Sequence, residues 1–117
     1  MTGTNKFSYT AARTSTISSF GMLTFDHGTT FSYAPRVAKK NLIFMTDETS
    51  EIYLNGCTLS STITGLRLTS GSLTFDNKVT LSSQARNTGE AFELTPNVKI
   101  NVLGNALVDA YGIIKYG

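Results

Sequence analysis

Apolar and polar residues alternate along the chain in short runs, and the runs themselves repeat. The stretch GMLTFDHGTTFS (21–32) is identical to GSLTFDNKVTLS (71–82) at 7 of 12 positions. EIYLNGCTLSS (51–61) carries the same alternation between them, and KINVLGNALVDA (99–110) is a looser fourth copy. Alternation with a period of two is typical of β-strands that bury one face. The copies therefore predict a strand–turn–strand unit that recurs about every 21 to 27 residues.

A second short run precedes three of the four copies. It reads NLIFMT (41–46), GLRLTS (65–70) and AFELTP (91–96), and each run places apolar residues at alternate positions. One repeat therefore contains three short strands. The turns between the paired strands are rich in residues that tolerate a positive φ and hydrogen-bond their own backbone. These turns read Asp26-His27-Gly28, Asn55-Gly56, Asp76-Asn77-Lys78 and Gly104-Asn105.

Three strands per repeat of about 25 residues predict an all-β fold, namely a short parallel β-solenoid of about four coils. One coil cannot bury its inner face, so the next coil stacks about 4.8 Å away and completes both the ladder and the core. Stacking in register places like residues in columns, and we expect Leu73 and Phe75 to be buried and Thr74 to be exposed. The predicted inner columns are Leu23/Ile52/Leu73/Ile100 and Phe25/Leu54/Phe75/Val102; the outer column is Thr30/Thr58/Thr80, and the turn column is Asp26/Asn55/Asp76.

An antiparallel β-sandwich or jelly roll is the alternative fold. The dipeptide Asn55-Gly56 between two alternating runs is a strong signal for a two-residue hairpin, and a hairpin explains each copy taken by itself. Only the solenoid also explains why the preceding run repeats.

The domain organisation follows from where the repeat begins. Residues 1–19 lack the repeat and are predicted to form an N-terminal arm or cap, or an added strand. Residues 20–117 are predicted to form the solenoid domain, with a C-terminal edge strand at 109–117. The stretch APRVAKKN (34–41) is predicted to be a short helical or irregular excursion.

The repeat EIYLNGCTLSS…GLRLTSGSLTFDNKVTLSS (51–83) resembles the parallel β-helix coils of secreted surface proteins and autotransporter-passenger-like proteins. The resemblance covers roughly residues 42–105. It implies a parallel β-helix and an extracellular or cell-surface location. The chain departs from those proteins in length, because they usually carry many more coils.

Composition favours strands and narrows the classes of partner. The chain has 18 Thr and 12 Ser among 117 residues, and charged residues make up only 15%. Thr is β-branched and suits a pleated, half-exposed surface, and uncharged ladders avoid the repulsion of stacked like charges. The net charge of +2 is scattered, with Lys39-Lys40 as the only adjacent basic pair, so we expect no nucleic-acid partner.

Cysteine and apolar content restrict the fold further. A single cysteine excludes an internal disulfide framework and a multi-cysteine zinc site, and Cys57 aligns with Val79 at an inner column. No apolar run approaches the length of a membrane-spanning helix, so no membrane span is expected. The first 15 residues lack an apolar run of signal-peptide length, so we expect no signal peptide in this chain, although a β-protein rich in Thr and Ser is compatible with an extracellular location.

Candidate catalytic chemistry is sparse. His27 is the only histidine and lies in a turn, so it is predicted to be a dispensable solvent-facing residue. A Ser-His-Asp triad or an imidazole metal site would depend on this one residue. We therefore expect that the protein is not an enzyme and has no catalytic residue, cofactor or metal.

Two alternative chemistries stay open. The Thr column suggests an ice-binding face, although the neighbouring column Thr24/Tyr53/Thr74/Asn101 is interrupted. An acidic loop would suit calcium in a polysaccharide-lyase-like or glycan-binding β-helix fragment. Its residues are Asp47, Glu48 and Glu51, with Arg67 or Lys78 as the base.

The C-terminal residues suggest self-assembly. A short solenoid leaves an open strand edge at each end, and DAYGIIKYG (109–117) is apolar, aromatic and nearly uncharged. Such an edge invites a strand of another chain. We expect a structural extracellular protein that pairs with itself as a homo-oligomer or filament, with a glycan-binding or lyase-like fragment, or an adhesin module, as alternatives. The predicted assembly residues are Tyr111, Ile113, Ile114, Tyr116, Phe7, Tyr9, Ile17 and Phe20.

Overall fold

The computed structural model describes residues 5–62, 64–84 and 91–117, and within these residues it contains fourteen strands and no helix. Residues 1–4 of the predicted N-terminal arm lie outside the described residues. The strands are β1 (Lys6–Tyr9), β2 (Ser15–Ile17), β3 (Met22–Phe25), β4 (Thr30–Tyr33), β5 (Ile43–Met45), β6 (Glu51–Asn55), β7 (Thr58–Ser61), β8 (Leu66–Leu68), β9 (Ser72–Asp76), β10 (Lys78–Ser83), β11 (Phe92–Leu94), β12 (Lys99–Val102), β13 (Leu107–Tyr111) and β14 (Ile114–Tyr116).

Each strand pairs with a strand of the neighbouring repeat and not with its neighbour along the chain. β1, β4, β7, β10 and β13 form the first sheet in that order, and β3, β6, β9 and β12 form the second sheet. β2 pairs with β5, while β8, β11 and β14 form a three-stranded sheet; we call these two pieces the third face. Every pairing among the described strands is parallel. The predicted all-β, parallel character is confirmed, and the antiparallel sandwich does not match these pairings.

The register of the pairs reproduces the predicted columns. The two inner columns run across the second sheet in the predicted order, and Thr30, Thr58 and Thr80 are partners in the first sheet. Leu73 and Phe75 are buried, as predicted. The buried apolar cluster draws side chains from the first sheet, the second sheet and the third face, so the core lies between them.

The Asn55-Gly56 turn is a corner between two sheets. It joins β6 of the second sheet to β7 of the first sheet. Gly56 has a φ of 61°, and Asn77 at the equivalent corner has a φ of 56°, a left-handed conformation that Gly and Asn tolerate best. The Gly56 N–H donates to the carbonyl of Asp76 at 2.9 Å, in the corner of the next repeat. The turn residues by themselves do not decide between a hairpin and a corner, because a positive φ serves both.

A ladder of side-chain hydrogen bonds along the corners joins two members of the predicted turn column, Asp26 and Asn55, to Asn77, while the Asp76 carboxylate accepts from the Tyr53 hydroxyl instead. The Asn55 amide donates to the Asp26 carboxylate at 3.3 Å, and the Asn77 amide donates to the Asn55 side-chain oxygen at 2.7 Å. Asn55 and Asp76 are also partners in the register of β6 and β9. Amide and carboxylate groups can stack in this way because each amide both donates and accepts.

The prediction that Thr74 is exposed is wrong. Thr74 lies on the outer face of the second sheet, yet it is only 3% exposed. Its hydroxyl donates to the Glu51 carboxylate at 2.5 Å and accepts from the Asn101 amide at 3.2 Å. The larger side chains on the flanking strands cover this small residue, so its burial follows from its neighbours and not from the direction of its Cβ.

The segment at 34–41 is irregular and not helical. Tyr33, which is buried at the end of β4, anchors it: the Tyr33 hydroxyl donates to the Lys39 carbonyl at 2.6 Å and accepts from the Leu42 N–H at 3.2 Å. The pKa of Tyr33 is raised, chiefly because burial disfavours the phenolate. A protonated phenol can serve as donor and acceptor together, which is the role that Tyr33 has here.

Candidate assembly surfaces at the two ends of the sheets

The sheets end in strand edges at two ends of the molecule. β1, β2 and β3 are the outermost strands at one end, and β12, β13 and β14 are the outermost strands at the other. We call these the N-terminal end surface and the C-terminal end surface. In an outermost parallel strand, alternate residues direct their backbone N–H and C=O groups away from the sheet. Both surfaces therefore offer hydrogen-bonding groups to a further strand.

The N-terminal end surface is concave and apolar. A cavity of about 360 Å³ opens on it. Phe7 stands at its rim with rings of the core behind it: the Phe7 ring centroid lies 5.7 Å from that of Phe25 and 5.6 Å from that of Phe31. The residues that give the cavity its apolar wall include Phe7, Ile17, Met22, Leu23, Phe31 and Ile43. Among the described residues, nothing covers the core at this end.

Phe20 projects from the turn between β2 and β3 and is 85% exposed. Its φ is 59°, which is an unfavourable conformation for a residue with a bulky side chain. The turn is held by a polar network, because the Phe20 N–H donates to the Thr49 hydroxyl at 2.7 Å. Asp47 completes the network by accepting from the Ser19 hydroxyl at 2.5 Å and from the Thr49 N–H at 2.8 Å. An exposed aromatic side chain is therefore held in place by a dedicated set of hydrogen bonds.

The network also acts on the acidity of Asp47. The pKa of this carboxyl is lowered, first because the Ser19 hydroxyl donates to it and second because the Thr49 hydroxyl does so. Hydrogen bonds to the charged form of a carboxyl favour that form. The turn that carries Phe20 is thus best held when Asp47 is ionised.

The C-terminal end surface presents apolar side chains with nothing beyond them among the described residues. The Tyr116 hydroxyl donates to the Val98 carbonyl at 3.4 Å, and a cleft of about 550 Å³ lies beside the ring, lined by residues 96–100 and Tyr116. The partners of Ile114 and Tyr116 one strand inward, Phe92 and Leu94, are buried. The exposed large apolar residues of this surface are Val102, Leu103, Leu107, Tyr111, Ile114 and Tyr116.

The predicted edge strand at 109–117 is two strands separated by a corner. β13 ends at Tyr111 and pairs with β10 in the first sheet, whereas β14 pairs with β11 in the third face. Gly112 forms the corner with a φ of 89°, and a Cβ at this position would lie 2.3 Å from the Ser83 carbonyl oxygen. Glycine is therefore required there, and the run of apolar residues gave no sign of the break apart from this glycine.

Most of the predicted assembly residues lie at the two ends. Tyr9 differs, because it is only 8% exposed, its ring stacks on Tyr33 with centroids 5.4 Å apart, and its hydroxyl donates to the Arg13 and Leu42 carbonyls. Tyr9 thus belongs to the core of the chain. At the C-terminal end Tyr111, Ile114 and Tyr116 are exposed and Ile113 is half-buried; at the N-terminal end Phe7 and Phe20 are exposed and Ile17 is half-buried.

Four exposed end residues were missed from the sequence, namely Met22, Val102, Leu103 and Leu107. Val102 belongs to an inner column whose other members are buried. Met22 shares its column with Glu51, and Leu107 is the partner of Lys78, so each is an apolar residue opposite a charged one. For Met22 and Leu107 the available signal was an apolar residue in a column of polar residues, and both residues lie in outermost strands.

The single histidine and the single cysteine of the chain both take part in packing. His27 packs over the next corner: a Cβ on Gly56 would lie 2.3 Å from the His27 Nδ1. Burial raises the pKa of the Cys57 thiol to about 11, so the thiol is protonated at neutral pH and is a poor nucleophile.

The acidic loop and its predicted bases do not converge on one point. Glu51 accepts from Thr74 in the second sheet, while Asp47 is bound in the network of the Phe20 turn. Arg67 lies 3.4 Å from the Glu93 carboxylate, and Lys78 lies 3.8 Å from that of Asp109. Among the described residues, no group of three or more His, Cys, Asp or Glu side chains is placed to hold a metal ion.

Comparisons with known proteins gave no relative: no family model, no curated protein and no solved structure matches this chain. In the part of the chain that the structure describes, no helix is long and apolar enough to cross a membrane.

Proposed function

We propose that the chain is a short parallel β-solenoid that assembles end to end as an extracellular structural subunit. The order of the strands supports the solenoid. The chain visits the first sheet, the third face and the second sheet in rotation, and successive visits to each sheet or piece pair in parallel. Fourteen strands at three per coil make four complete coils and two strands of a fifth, β13 and β14. The low charge and the abundance of Thr and Ser suit an extracellular location.

The observation that carries the assembly proposal is the state of the two ends. Natural proteins cover or charge the strand edges that could pair with another chain, and solenoids carry polar capping elements. Here Ile114 and Tyr116 expose apolar side chains at one end, and an apolar cavity opens at the other. Burying apolar surface contributes about 25 cal/mol per Å². A second copy of the chain can supply both the missing backbone partners and the missing cover.

The two ends differ in shape and residues, and this determines the kind of assembly. A contact between different surfaces of identical subunits is heterologous, and it continues into a filament unless a rotation closes it into a ring. We therefore propose a filament of parallel strands in which the C-terminal end surface of one copy contacts the N-terminal end surface of the next.

Pro substitution at the C-terminal end tests the assembly. The Phe92 N–H donates to the Ile113 carbonyl and the Gly117 N–H donates to the Leu94 carbonyl, both at 3.0 Å, so the Ile114 N–H points away from β11 by the alternation of a parallel strand. Ile114→Pro removes a donor that only a further strand could use. Deletion of residues 111–117 removes the surface entirely.

Sedimentation and negative-stain electron microscopy of the full chain provide the measurement. The wild-type chain should form regular fibres, while Ile114→Pro and the truncated chain should remain folded by circular dichroism and sediment as monomers. A wild-type chain that remains monomeric at high concentration would overturn the proposal. Fibres of the same form from the truncated chain would show that the joint lies elsewhere.

A second candidate function is glycan binding on the outer face of the first sheet. Thr30, Thr58 and Thr80 are partners in one column, and a column of serines (Ser32, Ser60 and Ser82) runs beside it in the same register. Tyr111 continues the serine column and is exposed, and an exposed tyrosine ring can stack on a sugar. Calorimetric titration with soluble polysaccharides, compared between the wild type and Tyr111→Ala, tests it; equal heats in the two proteins would argue against it.

A further inference from the structure

We propose that β13 of one copy pairs in parallel with β1 of the next copy, with Asp109 directly opposite Lys6. This inference rests on the proposed end-to-end assembly and specifies its register. The first sheet would then continue from copy to copy without a change in strand direction, since β1 and β13 are its two outermost strands and all its pairings are parallel.

The hydrogen bonds already made by the two edges restrict the possible registers. The Leu107 N–H donates to the Asn77 carbonyl at 3.0 Å. The backbone groups of Leu107 and Asp109 therefore point inward, toward β10, and the backbone groups of Val108 and Ala110 point outward, away from the sheet. At the other edge the Thr30 N–H donates to the Asn5 carbonyl at 2.8 Å. By the same alternation Lys6 and Ser8 face outward there.

In a parallel ladder, a residue whose backbone groups point toward the partner strand lies opposite a residue whose backbone groups point away from that strand. Lys6 can therefore lie opposite Leu107, Asp109 or Tyr111. Registers shifted by one residue are excluded, because they would turn the inner side chains of β1 to the outer face.

Charge selects one of these three registers. The outer column of the first sheet runs Lys6, Thr30, Thr58, Thr80, Asp109, so continuing the column brings its only two charged members together, and their charges are opposite. Opposite charges directly across a strand pair are favourable. The same register sets the large Phe7 ring above the small Ala110 in the inner column. In the other two registers Lys6 would face an apolar or aromatic side chain.

This placement leaves a gap one strand wide in the second sheet, which we call the slot. The first sheet has five strands and the second sheet has four, so β12 and the next copy's β3 would lie two strand spacings apart, about 9.6 Å. One further column contains, in order, Gly21, Ser50, Gly71 and Val98. The order follows because the backbone N–H of the residue after Ser50, Gly71 or Val98 donates to the carbonyl of the preceding member of the column. The Phe20 turn of the next copy would therefore lie above the cleft at residues 96–100, which the slot leaves open.

Disulfide trapping tests the register. Strand partners lie about 4.8 Å apart, within the reach of a disulfide, whereas residues displaced by two positions lie about 8 Å apart and beyond it. The test variant is Lys6→Cys with Asp109→Cys, and the matched control is Ser8→Cys with Asp109→Cys. The wild-type chain controls for Cys57, which is buried.

Mild oxidation of preformed assemblies should convert most of the test variant into a ladder of covalent oligomers on non-reducing gels, while the control and the wild type should stay at the monomer position. A ladder from the control and none from the test variant would show a register shifted by two residues and overturn the inference. Assembly without a ladder in either variant would also overturn it while leaving the proposed assembly standing. Failure of the wild-type chain to assemble at all would instead overturn the proposed function.

Discussion

The central and terminal strands of the second sheet carry the same sequence pattern but differ in burial. Phe75 in β9 and Val102 in β12 are direct partners in one inner column. Phe75 is 4% exposed because strands flank it on both sides, whereas Val102 is 60% exposed because β12 is outermost. The alternation of residues sets the face to which a side chain points. The number of neighbouring strands sets whether that face is covered, and this is why apolar residues at the ends are candidates for contact with another copy.

Alanine substitution at Phe75 and at Val102 should give the largest difference in stability between a central strand and an outermost strand. Phe75→Ala should lower the free energy of unfolding by about 3 to 5 kcal/mol, since it leaves a cavity between strands that cannot collapse fully. Val102→Ala should change it by less than about 0.5 kcal/mol, as expected of an exposed side chain. Urea unfolding at a protein concentration where the chain is monomeric provides the measurement. Similar losses in the two variants would contradict the comparison.

Phe20→Ala should weaken assembly without affecting the isolated fold. Burial of a Phe side chain contributes about 1.5 to 3 kcal/mol, so the concentration needed for assembly should rise about tenfold or more. The turn keeps its network, because the bond from residue 20 to Thr49 uses the backbone N–H. Sedimentation over a concentration series measures the shift, and an unchanged threshold would show that Phe20 is not in the joint.

Acid should loosen the Phe20 turn through Asp47. The folded pKa of Asp47 is lowered below its unfolded value, which is about 3.9. Its ionisation therefore stabilises the fold above about pH 4, and this contribution is lost as the pH falls through the folded pKa. The difference in unfolding temperature between the wild type and Asp47→Asn should be present at pH 6 and should disappear toward pH 2. A difference independent of pH would contradict this role.

The smallest effect is expected at the corner of His27. His27→Asn imitates Asn77 at the equivalent position of another repeat, and it should leave stability and assembly unchanged within about 0.5 kcal/mol. Gly56→Ala at the facing position is the contrasting variant, because a Cβ there meets the His27 ring and Gly56 has a positive φ. Loss of stability or of assembly in His27→Asn would give the histidine a role that the repeat does not predict.

Within the repeats, the sequence by itself determined the strands, their inward and outward faces and the columns. A side chain's face follows from the period of two, and the columns follow from the repeat, so Leu73, Phe75 and the Thr30/Thr58/Thr80 column could be predicted from one chain. Both properties are local or periodic, and neither requires knowledge of which strands meet.

The tertiary structure alone decided what depends on neighbours distant in the sequence. Asn55-Gly56 is a corner because β6 and β7 each find a closer partner in another repeat, which the turn residues do not encode. Thr74 is buried because the side chains of Glu51 and Asn101 close over it, and Tyr9 enters the core because Tyr33 lies one strand away. The open ends arise in the same way: among the described strands, an outermost strand has the residues of a central strand but a neighbour on one side only.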